Sequence, residues 1–309
     1  MDSIPDNDEM HKLSIYHCFL IWMALTALPD ALSAQKRADF SRSNLVAWCI
    51  VPFDALQRGA EERARMLHDL GITRLAYDWR EHHIPAFDDE LRALGKYDIK
   101  LEAFWLSAGR DPANNPNVRA VFDFLERNGV RTSLWLMMNE WQGFEDLSQE
   151  RKVEAMSREI RYIAERAGKI GCDVALYNHG GWFGEPENQV EMIRYMNLDN
   201  VGMVYNFHHA RKHFPRFASF YPLMLPYLKC INLAGLKEGD AEHFYRTGQG
   251  DTEKEMIRRI WKSGYRGPFG IINHDENKDA EKGLLEEIVG LKWILYELGD
   301  KKSLRTYHE

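Results

Sequence analysis

Eight short apolar runs bounded by turn residues recur along this chain at intervals of roughly 28–42 residues: 45–51, 73–77, 100–106, 131–137, 173–177, 201–205, 229–233 and 269–272. Each is nearly continuously apolar, which suits a strand covered on both faces. Between them lie amphipathic stretches at 61–70, 117–128, 148–167, 252–263 and 280–298, with weaker ones at 190–196 and 217–225. The five stronger stretches stop at Gly71, Gly129, Gly168, Gly264 and Gly299. A glycine there supplies the left-handed residue that ends a helix at little cost. Strand–helix alternation of this kind implies a parallel sheet with helical crossovers.

Residues 1–34 stand apart. Met10-His11-Lys12, the expected translation start, leads into an apolar stretch at 13–28, then Pro29 and Ala31-Leu32-Ser33-Ala34. A basic start, an apolar core and small residues are the parts of a secretory signal, so a periplasmic or secreted protein is expected. The apolar core is short for a membrane span, so no membrane association is expected after its removal. Eight βα units in the 275 residues that follow favour closure into a single (β/α)8 TIM barrel over 35–300. Residues 301–309 read as a polar tail. The leader holds five acids and one lysine, so of the formal charge of −7 the rest of the chain keeps −3. That balance lacks the electrostatic footprint of a nucleic-acid binder. Cys49, Cys172 and Cys230 have no paired spacing and read as buried thiols.

Active sites of closed parallel barrels are built at the C-terminal ends of the strands. Four such ends here are polar: Tyr177-Asn178-His179, Asn206-Phe207-His208-His209, Asn232-Leu233-Ala234 and Asn273-His274-Asp275. Together with Leu176-Tyr177-Asn178-His179-Gly180-Gly181, Val201–Asn206 running on to His209, Gly248-Gln249-Gly250-Asp251 and Gly264-Tyr265-Arg266-Gly267, they resemble the xylose-isomerase-like barrels of the sugar phosphate isomerase/epimerase group. That group includes a branch of apurinic endonucleases, and the likeness extends over most of residues 35–309.

The resemblance implies a divalent metal held by Glu, Asp, His and Glu at the ends of the fifth to eighth strands. The corresponding residues here are Tyr177, Asn206, Asn232 and Asn273. That set is neutral where the family's carries three negative charges, and at ligand distance each lost charge removes on the order of several kcal/mol of attraction. Hard divalent ions need anionic oxygens and softer ones prefer imidazole or thiolate. No metal or other cofactor is therefore expected at the family position. Tyr177 and His179 should share one face of the fifth strand, and Asn206 and His208 one face of the sixth. His209 would face differently unless the strand has ended.

Tryptophans 48, 79, 105, 135 and 182 fall on or just after the first five strands, and flat rings with a polar edge suit sugar faces. The expected ligand is a small-molecule carbohydrate. Trp105, Trp182, Tyr177, Asn206, Asn232, Asn273 and Arg246 are the expected binding residues, with His179, His208 and His209 as catalytic candidates. Asp78, Arg80, Asn139, Glu140, Glu185, Lys237, Asp275 and Glu276 follow strands, and Glu102 lies within the third, as possible acids, bases or clamps. Two functional readings follow. One is an exported isomerase-, epimerase- or lyase-like enzyme that abstracts a proton beside a carbonyl without a metal. The alternative is a non-catalytic carbohydrate-binding barrel or accessory subunit.

Overall fold

The computed structural model describes residues 37–240 and 243–307. The leader at 1–34 lies outside the described residues. Eight strands, β1 (Leu45–Trp48), β2 (Arg74–Tyr77), β3 (Lys100–Ala108), β4 (Ser133–Met138), β5 (Asp173–Tyr177), β6 (Val201–Asn206), β7 (Leu228–Asn232) and β8 (Phe269–Ile272), close into a barrel in sequence order. All pairings are parallel, and β8 returns to β1 with Val46 opposite Gly270 and Trp48 opposite Ile272. A helix follows each strand: α1 (Ala60–Asp69), α2 (Phe87–Lys96), α3 (Pro116–Asn128), α4 (Gln149–Lys169), α5 (Pro186–Met196), α6 (Phe217–Met224), α7 (Glu253–Ser263) and α8 (Ala280–Leu298). Among the described residues no helix is long and apolar enough to cross a membrane.

The strands read as apolar on both faces because both are covered. On β3, Trp105 faces the barrel interior, where it meets Tyr177, while Phe104 packs outward on Phe87 and Phe124 of the helices. The register of β4 places Trp135 beside Trp105, and Trp135 is almost fully buried. A side chain of that class contributes on the order of 3 kcal/mol or more by leaving water. Cys49, Cys172 and Cys230 are buried thiols.

Three local expectations change. β1 stops at Trp48 rather than at residue 51, because Cys49 adopts a left-handed backbone with φ of 55°. Gly168 lies inside α4, and Gly171, with φ of 74°, makes the left-handed turn after it. The segment 301–309 is not a free polar tail. It contains a further helix, α9 (Lys301–Arg305), after which the Tyr307 hydroxyl donates to the Phe40 carbonyl at 2.6 Å in a buried contact. Helix α2 is a further element that the interrupted pattern around Gly95 had concealed; its sequence pairs Phe87 with Leu91 and Leu94 on one face.

Candidate active site

The inner face of the barrel narrows to an aromatic floor. Trp48 and Trp135 meet edge to face at 4.9 Å between ring centroids, and Trp105 stands at 88° to Tyr177 at 5.0 Å. The Tyr177 hydroxyl accepts from Trp48 Nε1 at 3.0 Å and from the Asn206 side-chain amide. Burial pushes its pKa well up, with the nearby Cys49 thiol adding to the effect, so it stays protonated. Asn232 approaches the same phenol, but its Nδ2 is buried outside hydrogen-bonding geometry. Tyr177, Asn206 and Asn232 are each no more than 2% exposed. Tyr177 and Asn206 bind each other and Asn232 is buried beside them, so the substrate contacts expected of the three are not open in this closed floor.

Above the floor runs a row of imidazoles. His179 and His209 lie 4.3 Å apart, His209 and His208 4.8 Å, and His208 and His274 4.3 Å, with Phe53 a further 4.3 Å beyond. Tyr177 underlies the first pair, at 6.3 Å from His179 and 5.8 Å from His209. Both histidines after β6 reach the row because that strand ends at Asn206. Its side chain accepts from the His208 N–H at 2.9 Å and so starts the tight turn Phe207–His209. The strand-face argument that separated His208 from His209 fails at that turn.

The row is uncharged at neutral pH. Burial pulls His209 down to about 2 and His208 to about 3, and the neighbouring histidines and Arg211 push the same way. His179 and His274 are also lowered, first by burial. The Arg80 guanidinium opposes a positive charge on both. Its Nη1 is held by the carbonyls of Asp78 and Trp79 at 2.7 and 2.9 Å. His179 is the exposed member, and half-buried Trp105 lies 6.1 Å from it.

Asp78 follows β2 and is 1% exposed. One carboxylate oxygen accepts from the Val51 N–H at 3.2 Å and the other is buried without a partner. Burial raises its pKa to about 7 against the opposing pull of Arg80 and the Val51 N–H. Nothing in its sequence context separates Asp78 from the other strand-end acids; the low-polarity wall that perturbs it comes from other strands.

Three expected binding residues are engaged elsewhere. One residue past β8, Asn273 turns outward toward α8. Its Oδ1 accepts from Arg246 Nη2 at 2.8 Å, and its amide donates to the carbonyls of Phe53, Asp275 and Lys278. Arg246 is buried behind Phe244, donating also to the Ile272 carbonyl at 2.8 Å, and serves this clamp instead of a ligand. Trp182 packs on Phe144 at 5.3 Å and donates from Nε1 to Gln149 at 2.8 Å. Its loop is held by Glu140, which accepts from the Trp182 N–H at 2.6 Å and the Phe183 N–H at 3.3 Å. Gly181 is required there, since its φ is +64° and an added Cβ would sit 2.5 Å from the Glu140 carboxylate.

The donor set does not fit the family's metal. Tyr177, Asn206 and Asn232 are neutral and bound into the floor, and Asn273 faces away from the mouth. Among the described residues, no group of three or more His, Cys, Asp or Glu side chains is arranged to hold a metal ion. The histidines follow one another in a row of tilted and edge-on rings instead of converging on a point.

Residues 52–292 match the family described as xylose isomerase-like TIM barrel. A comparison with curated proteins finds no match. Among solved structures, the IolI protein with a bound zinc atom superposes with a TM-score of 0.65 at 14% identity, covering 82% of this chain and 98% of that one. A D-tagatose 3-epimerase-like protein gives 0.62 at 14% identity, covering 83% and 98%. The 3-keto-D-glucoside 4-epimerase YcjR from E. coli gives 0.58 at 13% identity, covering 83% and 99%. At these identities the likeness is one of fold. The chain belongs to the xylose isomerase-like TIM-barrel family.

Proposed function

We propose that this protein is a sugar-active enzyme that removes a proton beside a carbonyl without a metal at the family position, with His179 as the base. The observation that carries this reading is the pair His179–His209, 4.3 Å apart above Tyr177 where the family's metal would be bound. A neutral imidazole both accepts a proton and donates an N–H. His179 is exposed and takes the proton from carbon; His209, held neutral by burial and by the neighbouring histidines, donates to the oxygen that becomes an enolate. A neutral histidine can serve as such an electrophile. Trp105 supplies a flat face beside the pair. The proton returned to the same carbon or its neighbour gives epimerisation or isomerisation, and loss of a neighbouring leaving group gives elimination.

Epimerases, isomerases and dehydratases share this fold, and one structural neighbour is described as acting on a keto-glucoside. That precedent favours a keto-sugar or keto-glycoside substrate. The leader-like segment favours action outside the cytosol, and the mildly acidic balance disfavours nucleic acid as a partner. A second reading has its own support. Two of the inherited ligand positions, Tyr177 and Asn206, bind each other in a closed floor that also buries Asn232, as in a barrel kept only to bind sugar.

Incubating the protein in D₂O with a panel of sugars and keto-glycosides, followed by proton NMR, separates the two. The enzyme reading expects a specific carbon-bound proton to exchange or disappear. Saturable binding with every proton retained favours the binding barrel.

A further inference from the structure

We infer that Arg80, beside the imidazole row at the mouth, receives a carboxylate, so that the substrate class is a sugar acid instead of a neutral sugar. This deepens the reading above and rests on it for the reacting carbon. Arg80 follows β2 and is exposed. Its side chain curls back over the strand end, where Nη1 donates to the carbonyls of Asp78 and Trp79 at 2.7 and 2.9 Å. The guanidinium carbon lies 5.8 Å from the Phe53 ring centroid, and Phe53 lies 4.3 Å from His274. The cation therefore stands next to the row. Its charge reaches both ends, opposing protonation of His274 and of His179 after the larger effect of burial.

The donors left over select the ligand's chemistry. A guanidinium carries five N–H groups in one plane. Both on Nη1 are taken by carbonyls, which fixes the orientation of that plane. Nε and Nη2 have no acceptor among the described residues. Together they form an edge that matches the two oxygens of a carboxylate.

The acids close to Arg80 in sequence do not answer its charge. Asp78 accepts from the Val51 N–H, and burial raises its pKa to about 7. Glu81 accepts from Asn117 Nδ2 at 3.1 Å. Among the described residues no carboxylate forms an ion pair with Arg80. Arg211, the other guanidinium beside the row, donates to the His243 carbonyl and feels the Asp240 carboxylate. The approach is open, since Arg80 and His179 are exposed and His208, His209 and His274 are half-buried. A carboxylate held at Arg80 leaves the rest of a sugar to lie along the imidazoles.

Calorimetric titration of the full protein with an array of uronates and keto-sugar acids, each beside its methyl ester, tests the assignment. The ester keeps the sugar and removes the charge. At least one acid is expected to bind about tenfold or more tighter than its ester. Arg80→Gln should abolish that margin while leaving ester affinity within about twofold and the melting temperature unchanged, as suits an exposed side chain. Arg80→Lys keeps the charge without the fork and should restore only part of the margin. Acids binding no tighter than their esters, an array with no binding at all, hexose phosphates binding tighter than every acid, or equal weakening of acid and ester by Arg80→Gln would each overturn the carboxylate site. The same array in D₂O, followed by proton NMR, separates this inference from the reading beneath it. If the margin and its loss are seen but no carbon-bound proton exchanges, proton abstraction fails and the carboxylate site stands. Exchange in neutral keto-sugars with no margin for the acids gives the reverse.

Discussion

His179 and His209 come from the ends of neighbouring strands and meet with ring centroids 4.3 Å apart and planes inclined by 49°. Neither lies at an inherited ligand position. Their contact exists because Gly180 and Gly181 turn the chain away after His179, while a tight turn beyond Asn206 brings His209 back over Tyr177.

If His179 is the base, His179→Ala lowers kcat by about 10²–10⁴-fold, the usual worth of a positioned base. Its exposure means the melting temperature should barely move. Steady-state kinetics in EDTA complete the test, with full activity expected. Loss in EDTA that Mn²⁺ restores would refute the metal-free reading.

The imidazole row should make the fold acid-labile. In the unfolded chain these groups take up protons near 6.5, whereas the folded chain resists until about 3 for His208 and about 2 for His209. Their contribution is therefore complete above about pH 6.5 and is lost as pH falls toward 3. Melting temperatures measured from about pH 8 down to 4 should decline. A His208→Asn/His209→Asn double variant should show a shallower decline.

Asp78 should act in the opposite direction. Its folded pKa of about 7 exceeds the ordinary 3.8, so the folded chain holds a proton that the unfolded chain releases. Stability from this group is present below about pH 4 and is lost as pH rises through 7. Asp78→Asn, which cannot ionise, should raise the melting temperature at about pH 8 more than at about pH 4. An equal shift at both would show that the carboxyl titrates normally.

Asn273 should matter for stability. Asn273→Ala leaves Arg246 Nη2 and several loop carbonyls without their partner, a loss of about 1–3 kcal/mol. Gly283→Ala should be similarly damaging, because its added Cβ would lie 1.9 Å from Asn273 Oδ1. Urea unfolding reads both. If Asn273→Ala keeps wild-type stability but abolishes sugar binding, the clamp assignment is wrong.

Periodicity alone carried the barrel. Eight doubly apolar runs separated by helical stretches leave few alternatives, since each strand needs a crossover and each helix a sheet face. The positions of Tyr177, Asn206, Asn232 and Asn273 at strand ends were legible for the same reason, whereas the loss of charge from that set is what the family resemblance implies.

Their directions were not. Along a strand, one residue reverses the face, so ending β6 at Asn206 admits His209 to the mouth, while Asn273, one residue beyond β8, turns outward to Arg246. Sequence likewise marked Asp78 as one acid among several and Trp182 as one tryptophan among several. Only the packed barrel separates them, because ionisation and exposure are set by neighbours distant in the chain. The residues by themselves determined the scaffold and, through the family resemblance, the neutral side chains expected at its usual ligand positions. The tertiary structure decided that four histidines, brought together by turns at three strand ends, stand in one row above the aromatic floor, because where each strand stops sets which side chains reach the mouth.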